Sequence, residues 1–142
     1  MLGRKSFKKE EIDTARAAID KQLKAYRNVV AASDKAKDKD IGAALETFEP
    51  IFFNNMTLVL DRYFVHRLRS VTGKDGNPLN EVELLSASLM DNGGELRGNN
   101  VIKYDPESSV TKLKIGDKIR LSATDYRQLV SAFFADLEKK FL

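Results

Sequence analysis

Cysteine is absent from the chain. Its absence removes disulfides, thiolate metal sites and cysteine nucleophiles in one step, and it fits a reducing compartment. Histidine occurs once, as His66, so one subunit cannot build a histidine-rich zinc site. A carboxylate di-metal bundle would need Glu-x-x-His on an inward helix face, and Tyr63 stands three residues before His66. Proline and glycine are too few, at three and eight, for a collagen-like or low-complexity chain. Long apolar runs are missing too. The stretch from Ile51 to Val65 is broken by Asn54, Asn55, Thr57, Asp61, Arg62 and Tyr63, whereas a membrane helix needs about 20 mostly apolar residues. The polar segment Met1 to Glu11 has no apolar signal core. The expectation is a cytoplasmic protein with no membrane contact, no metal and no cofactor.

What is present is ordinary globular material. A chain of 142 residues with 42% hydrophobic and 32% charged side chains suits one domain over 1–142 with its own core. The net charge is +3, and residues 1–40 supply it, with eleven Lys/Arg against seven Asp/Glu. Arg4, Lys5, Lys8 and Lys9 carry most of that excess. Cations gathered at one end read as a solvated tail, with residues 1–6 a flexible basic end. A nucleic-acid footprint would spread over a face.

Apolar periodicity predicts a mainly α protein, a bundle of four to five helices with a small β-hairpin before the C-terminal helix. Ile12, Ala15, Ile19, Leu23, Tyr26 and Val30 recur at steps of three and four, so one long helix spans 7–36, with Ser6 as its possible cap. Its opposite face carries Arg16, Asp20, Lys24 and Arg27. A second helix, capped by Asp40, covers 41–71, with Pro50 expected to kink or split it. Phe52, Phe53, Met56, Val59, Leu60, Tyr63 and Phe64 make its broad apolar face, yet Ile51, Leu58, Val65 and Leu68 fall on the other side. A helix apolar nearly all round is normally buried. This one is therefore expected at the centre, covered in part by a second subunit, and a homodimer follows.

Asn77-Pro78 is an N-cap followed by proline at the first helical position and opens a third helix over 78–90. Leu113 and Ile115, then Ile119 and Leu121, alternate with polar residues around Gly116-Asp117, the signature of a hairpin. Ser122 to Asp125 resembles a capping box for the last helix, to about Lys140. The aromatic pairs Phe52-Phe53 and Phe133-Phe134, with Tyr63 and Phe64, sit at helical spacing and read as core, not as a base-stacking platform.

Chemistry has one plausible seat. Asn55, Arg62, His66 and Arg69 share a narrow arc of the second helix, with Asp61 on the neighbouring strip. Guanidinium groups hold carboxylates or phosphates bidentately, and His66 could exchange a proton near neutral pH. The five residues would then form an anion-binding site. The other reading is a salt-bridge network, or a polar seam at a dimer interface. No G-x-S-x-G elbow accompanies His66, and the glycines at 93, 94 and 98 follow a helix where a phosphate loop precedes one. The balance leans away from an enzyme, towards a dimeric interaction or assembly module with a protein partner. A binder of a small anionic ligand is the alternative.

The segments FFNNM (Phe52 to Met56), LDRYFVHRLR (Leu60 to Arg69) and VTGKDGNPLNEV after them resemble small uncharacterised bacterial proteins of actinobacterial type. That resemblance implies a bacterial helical protein. It brings no activity, so no functional residue is carried over.

Overall fold

The computed structural model describes residues 6–65 and 72–142. Among the described residues there are four helices: α1 (Lys9–Ala36), α2 (Lys39–Tyr63), α3 (Pro78–Asp91) and α4 (Ala123–Phe141). α2 and α4 pack together and each touches every other helix, while α1 and α3 do not touch each other. The middle of the bundle is therefore the α2/α4 pair, flanked by α1 and α3. None of the helices is long and apolar enough to cross a membrane, among the described residues.

α1 buries Ile12, Ala15, Ile19, Leu23 and Tyr26, the stripe its periodicity predicts. Its cap differs from expectation. The helix begins after Lys8, with no side-chain cap, because Phe7 is drawn inward. Phe7 stands edge-on to Phe64 and Phe141 at 5.2 and 6.3 Å. Its N–H donates to the Phe141 carbonyl at 2.9 Å, tying the two ends of the described chain. The basic end expected over 1–6 lies, but for Ser6, outside the described residues.

Lys37, at φ 55°, closes α1 and sends its N–H to the Ser33 carbonyl at 3.1 Å. Asp38 then caps α2, its Oδ1 accepting the N–H groups of Asp40 and Ile41 at 2.8 and 3.3 Å. The cap expected at Asp40 thus falls two residues earlier, because so tight a connection leaves room for only one turn residue and one cap. α2 also runs unbroken through Pro50. A proline in a helix interior costs about 3 kcal/mol, and tertiary anchoring on either side offsets it. Glu49 accepts the Tyr26 hydroxyl at 2.9 Å and the Ala123 N–H at 2.8 Å, joining α1, α2 and the start of α4. Phe53 is fully buried and rings it with Tyr26, Phe52 and Tyr126 at 4.9–5.3 Å. The expected extension of α2 over 66–71 lies outside the described residues.

α3 is the most enclosed helix. Leu79, Val82, Leu84 and Leu85 are buried together with Asn80, Glu81, Ser86 and Ser88. Asn77 caps it, accepting the Asn80 N–H at 2.9 Å, with Pro78 in the first turn. α4 opens with a reciprocal capping box between Ser122 and Asp125 and buries Tyr126, Leu129, Val130, Phe133, Phe134 and Leu137.

The hairpin expected over 112–121 does not form, and no strand occurs among the described residues. The Gly116-Asp117 turn is present, with the Asp117 N–H on the Lys114 carbonyl at 2.9 Å. Its second arm pairs elsewhere, making an antiparallel bridge between Glu95 and Lys118. Leu96 donates to the Asp117 carbonyl and Ile119 to the Gly94 carbonyl, at 2.9 and 2.8 Å. Asn54 of α2 takes the next backbone groups. Its amide donates to the Ile119 carbonyl at 2.9 Å and its oxygen accepts the Leu121 N–H at 3.2 Å. A helix side chain thus occupies backbone groups that a strand partner would have used.

Burial sets one solution property. Burial, then the hydrogen bond to Glu49, pushes the Tyr26 hydroxyl up to about 12, and burial also raises Tyr126, whose hydroxyl donates to the Met56 carbonyl at 3.0 Å. Folded Tyr26 therefore holds its proton through a window, from its ordinary value near 10 to about 12, in which the unfolded chain has lost it. Stability falls with rising pH across that window. Denaturant titrations at stepped pH should show this decline, and Tyr26→Phe should lessen it, leaving the share that Tyr126 contributes, while losing about 1 kcal/mol near neutrality.

Candidate functional site

Residues that a monomer leaves uncovered mark the candidate site. The large hydrophobics Ile41, Phe48 and Ile51 of α2 are 45%, 46% and 57% exposed. With Ala44, Asn55, Leu58 and Arg62 they recur at alternating steps of three and four along α2. That alternation is the spacing found in coiled-coil seams, where it keeps one stripe of a helix on one side. Ala44, Asn55 and Arg62 are exposed and Leu58 is half-buried. From Ile41 to Arg62 the seam is about 32 Å long at 1.5 Å per residue.

The stripe is supported from below. Phe48 stacks on Phe52 at 5.4 Å, and Phe52 on Tyr26 at 5.7 Å. Hollows flank it. One of about 330 Å³ lies between Val29 and Tyr26 of α1 and Phe48 and Phe52 of α2. Another, of about 460 Å³, lies between Pro50, Ile51 and Asn54 and the segment Lys118 to Arg120. A third, of about 260 Å³, is lined by Leu58, Val59, Arg62 and Tyr63. Knobs on a seam need such holes beside it.

Charge is confined to the two ends of the stripe. Asp40 precedes Ile41, Arg62 closes the far end, and the positions between are apolar or amide. Ile51 lies midway between that acid and that base.

The five residues singled out by sequence are now divided. Asn55 and Arg62 lie on the exposed stripe, and Asp61 is half-buried beside it. His66 and Arg69 lie outside the described residues. The three hollows described beside α2 do not bring Asn55, Asp61 and Arg62 together. The sequence pattern places Ile51 and Leu58 opposite the main apolar face, on the side left for a second subunit, without marking a three-four stripe there; Ile51 is exposed and Leu58 half-buried. The three-four alternation from Ile41 was the available signal. Arg16, Asp20, Lys24 and Arg27, which the sequence places opposite the apolar stripe of α1 with no role, all line a groove against α4.

Among the described residues no three acidic or histidine side chains gather into a metal-binding group. Comparison of the chain with family models, curated proteins and solved structures finds no match.

Proposed function

We propose that the protein is a non-enzymatic interaction module that acts as a homodimer, with two α2 helices packed antiparallel along the exposed stripe. The observation that carries this reading is the uncovered three-four seam with Asp40 at one end and Arg62 at the other. A two-fold axis through Ile51 sets Asp40 against Arg62 of the second copy, and Arg62 against its Asp40. A closed two-fold interface requires this kind of self-complementarity. The same axis sets Ile51 on Ile51, Ala44 against Leu58, and Asn55 near Thr47 and Phe48 of the second copy. A polar amide on an otherwise apolar seam restricts register at some cost in stability. Asn55 and Arg62 then belong to the polar seam that the sequence offered as one of two alternatives.

Sedimentation equilibrium at micromolar concentration tests the proposal. The wild type is expected as a dimer. Ile51→Lys brings two ammonium groups together at the axis, and should raise the dissociation constant at least about a hundredfold with the circular dichroism unchanged. Asp40→Arg and Arg62→Asp should each weaken the dimer, and combining them should restore it. A monomeric wild type, or an Ile51→Lys variant of unchanged mass, overturns the reading.

A further inference from the structure

A second surface, to which α2 contributes nothing, has the form of a ligand site. α1 and α4 run antiparallel, since Phe7 meets Phe141 and Arg16 pairs with Glu138. Between them lies a groove of about 680 Å³, within the size range of small-molecule sites. The Arg16–Glu138 ion pair stands at one end, with the Arg16 guanidinium 4.7 Å above the Phe134 ring. Three helical turns away along both helices the groove opens between Arg27 and Arg127. Its floor is apolar, made by Leu23, Val130 and Phe134.

The charges are unevenly spent. Glu138 is engaged by Arg16. Arg127 reaches only the Thr124 hydroxyl, at 3.5 Å. Among the described residues no carboxylate pairs with Lys24, Arg27 or Arg127, and Asp20 is the one other acid lining the groove. Two guanidinium groups stand at one end of an apolar trough, and the Arg16–Glu138 pair stands at the other.

We infer that this groove binds a small amphipathic anion, a carboxylate or phosphate carried on an acyl or aryl body. The head group lies between Arg27 and Arg127, where planar donors suit either oxyanion. The body lies over Leu23 and Val130 and stops at the Arg16 guanidinium, which covers the Phe134 ring. An anion without an apolar body leaves the floor wet, and a neutral body leaves the guanidinium groups unanswered, so both bind weakly.

Isothermal titration calorimetry on the full chain tests this with decanoate, phenyl phosphate, inorganic phosphate and decanol. Decanoate or phenyl phosphate is expected to bind with a dissociation constant below about 1 mM, at least about tenfold tighter than inorganic phosphate or decanol. Binding of only one of the two organic anions identifies the head group. Arg27→Gln with Arg127→Gln should weaken binding at least about tenfold in a chain of unchanged melting temperature. The Ile51→Lys variant should bind as the wild type does, which separates this groove from the α2 seam. Absence of binding by both organic anions, equal binding of inorganic phosphate, or unchanged affinity in the double arginine variant overturns the inference.

Discussion

Replacing Glu81 by alanine is expected to cost about 3 kcal/mol, an effect out of proportion to one carboxylate. Glu81 is 1% exposed. Its two oxygens accept the Val110 N–H at 2.8 Å, the Thr111 N–H at 3.0 Å and the Thr111 hydroxyl at 2.7 Å. A hydrogen bond to an ionised acceptor is worth about 1.5–3 kcal/mol, and a buried N–H left without one costs about 1–3 kcal/mol. Truncation takes this partner from two half-buried N–H groups in the loop between Pro106 and Lys112. Glu81→Gln keeps the shape but turns an amide donor towards one of those N–H groups, so most of the loss should persist. Urea titration measures the stability change. Hydrogen exchange at Val110 and Thr111 should show these amides losing protection before the helices do. Glu107→Ala, at an exposed position of the same loop, should stay within about 0.5 kcal/mol. Equal losses in the two variants would mean that Glu81 does not organise the loop.

Phe53→Ala should destabilise the protein by about 3–5 kcal/mol, through apolar packing. Phe53 is fully buried where α1, α2 and α4 meet, within 5.3 Å of the rings of Tyr26, Phe52 and Tyr126. Those neighbours cannot close the gap freely. The Tyr26 hydroxyl is held by Glu49 and the Tyr126 hydroxyl by the Met56 carbonyl. A pinned wall relaxes little, so the cavity cost adds to the lost transfer free energy. Phe53→Leu should recover more than half of the loss. Met90→Ala, at a side chain 70% exposed, should leave the thermal midpoint nearly unchanged. If Phe53→Ala cost less than about 1 kcal/mol, the tyrosine anchors would not be rigid.

The contrast between these two positions shows how much of the molecule the sequence discloses. Phe53 is legible, because it lies on the 3.6-residue apolar face of its helix, and such a face is core wherever the helix goes. Glu81 is not legible. It stands beside Asn80 in an amphipathic helix, where a charge ordinarily faces water. Only the long loop folding back over α3 makes it interior. Asn80 is the same case, fully buried with its amide gathered on the Gly73 and Asp75 carbonyls at 3.2 and 2.8 Å.

Local chemistry in the sequence determined the helical character, the third and fourth helix starts at Asn77 and Ser122, and the core stripes of α1 and α4. Caps and periodicity act within one or two turns of chain, so they are readable without a fold. Tertiary structure alone decided that α2 continues through Pro50, that the arm after Gly116 pairs with residues 94–96, and that Asn54 holds that arm. Each outcome balances a local preference against partners distant in sequence, such as Glu49 with Ala123 or Asn54 with Leu121. The same holds for the two surfaces. Ile41, Phe48 and Ile51 form an exposed apolar stripe only because α1, α3 and α4 cover the other sides of α2. Arg27 and Arg127 form one end of a groove only because α1 and α4 run antiparallel, which follows from burying Phe7 against Phe141.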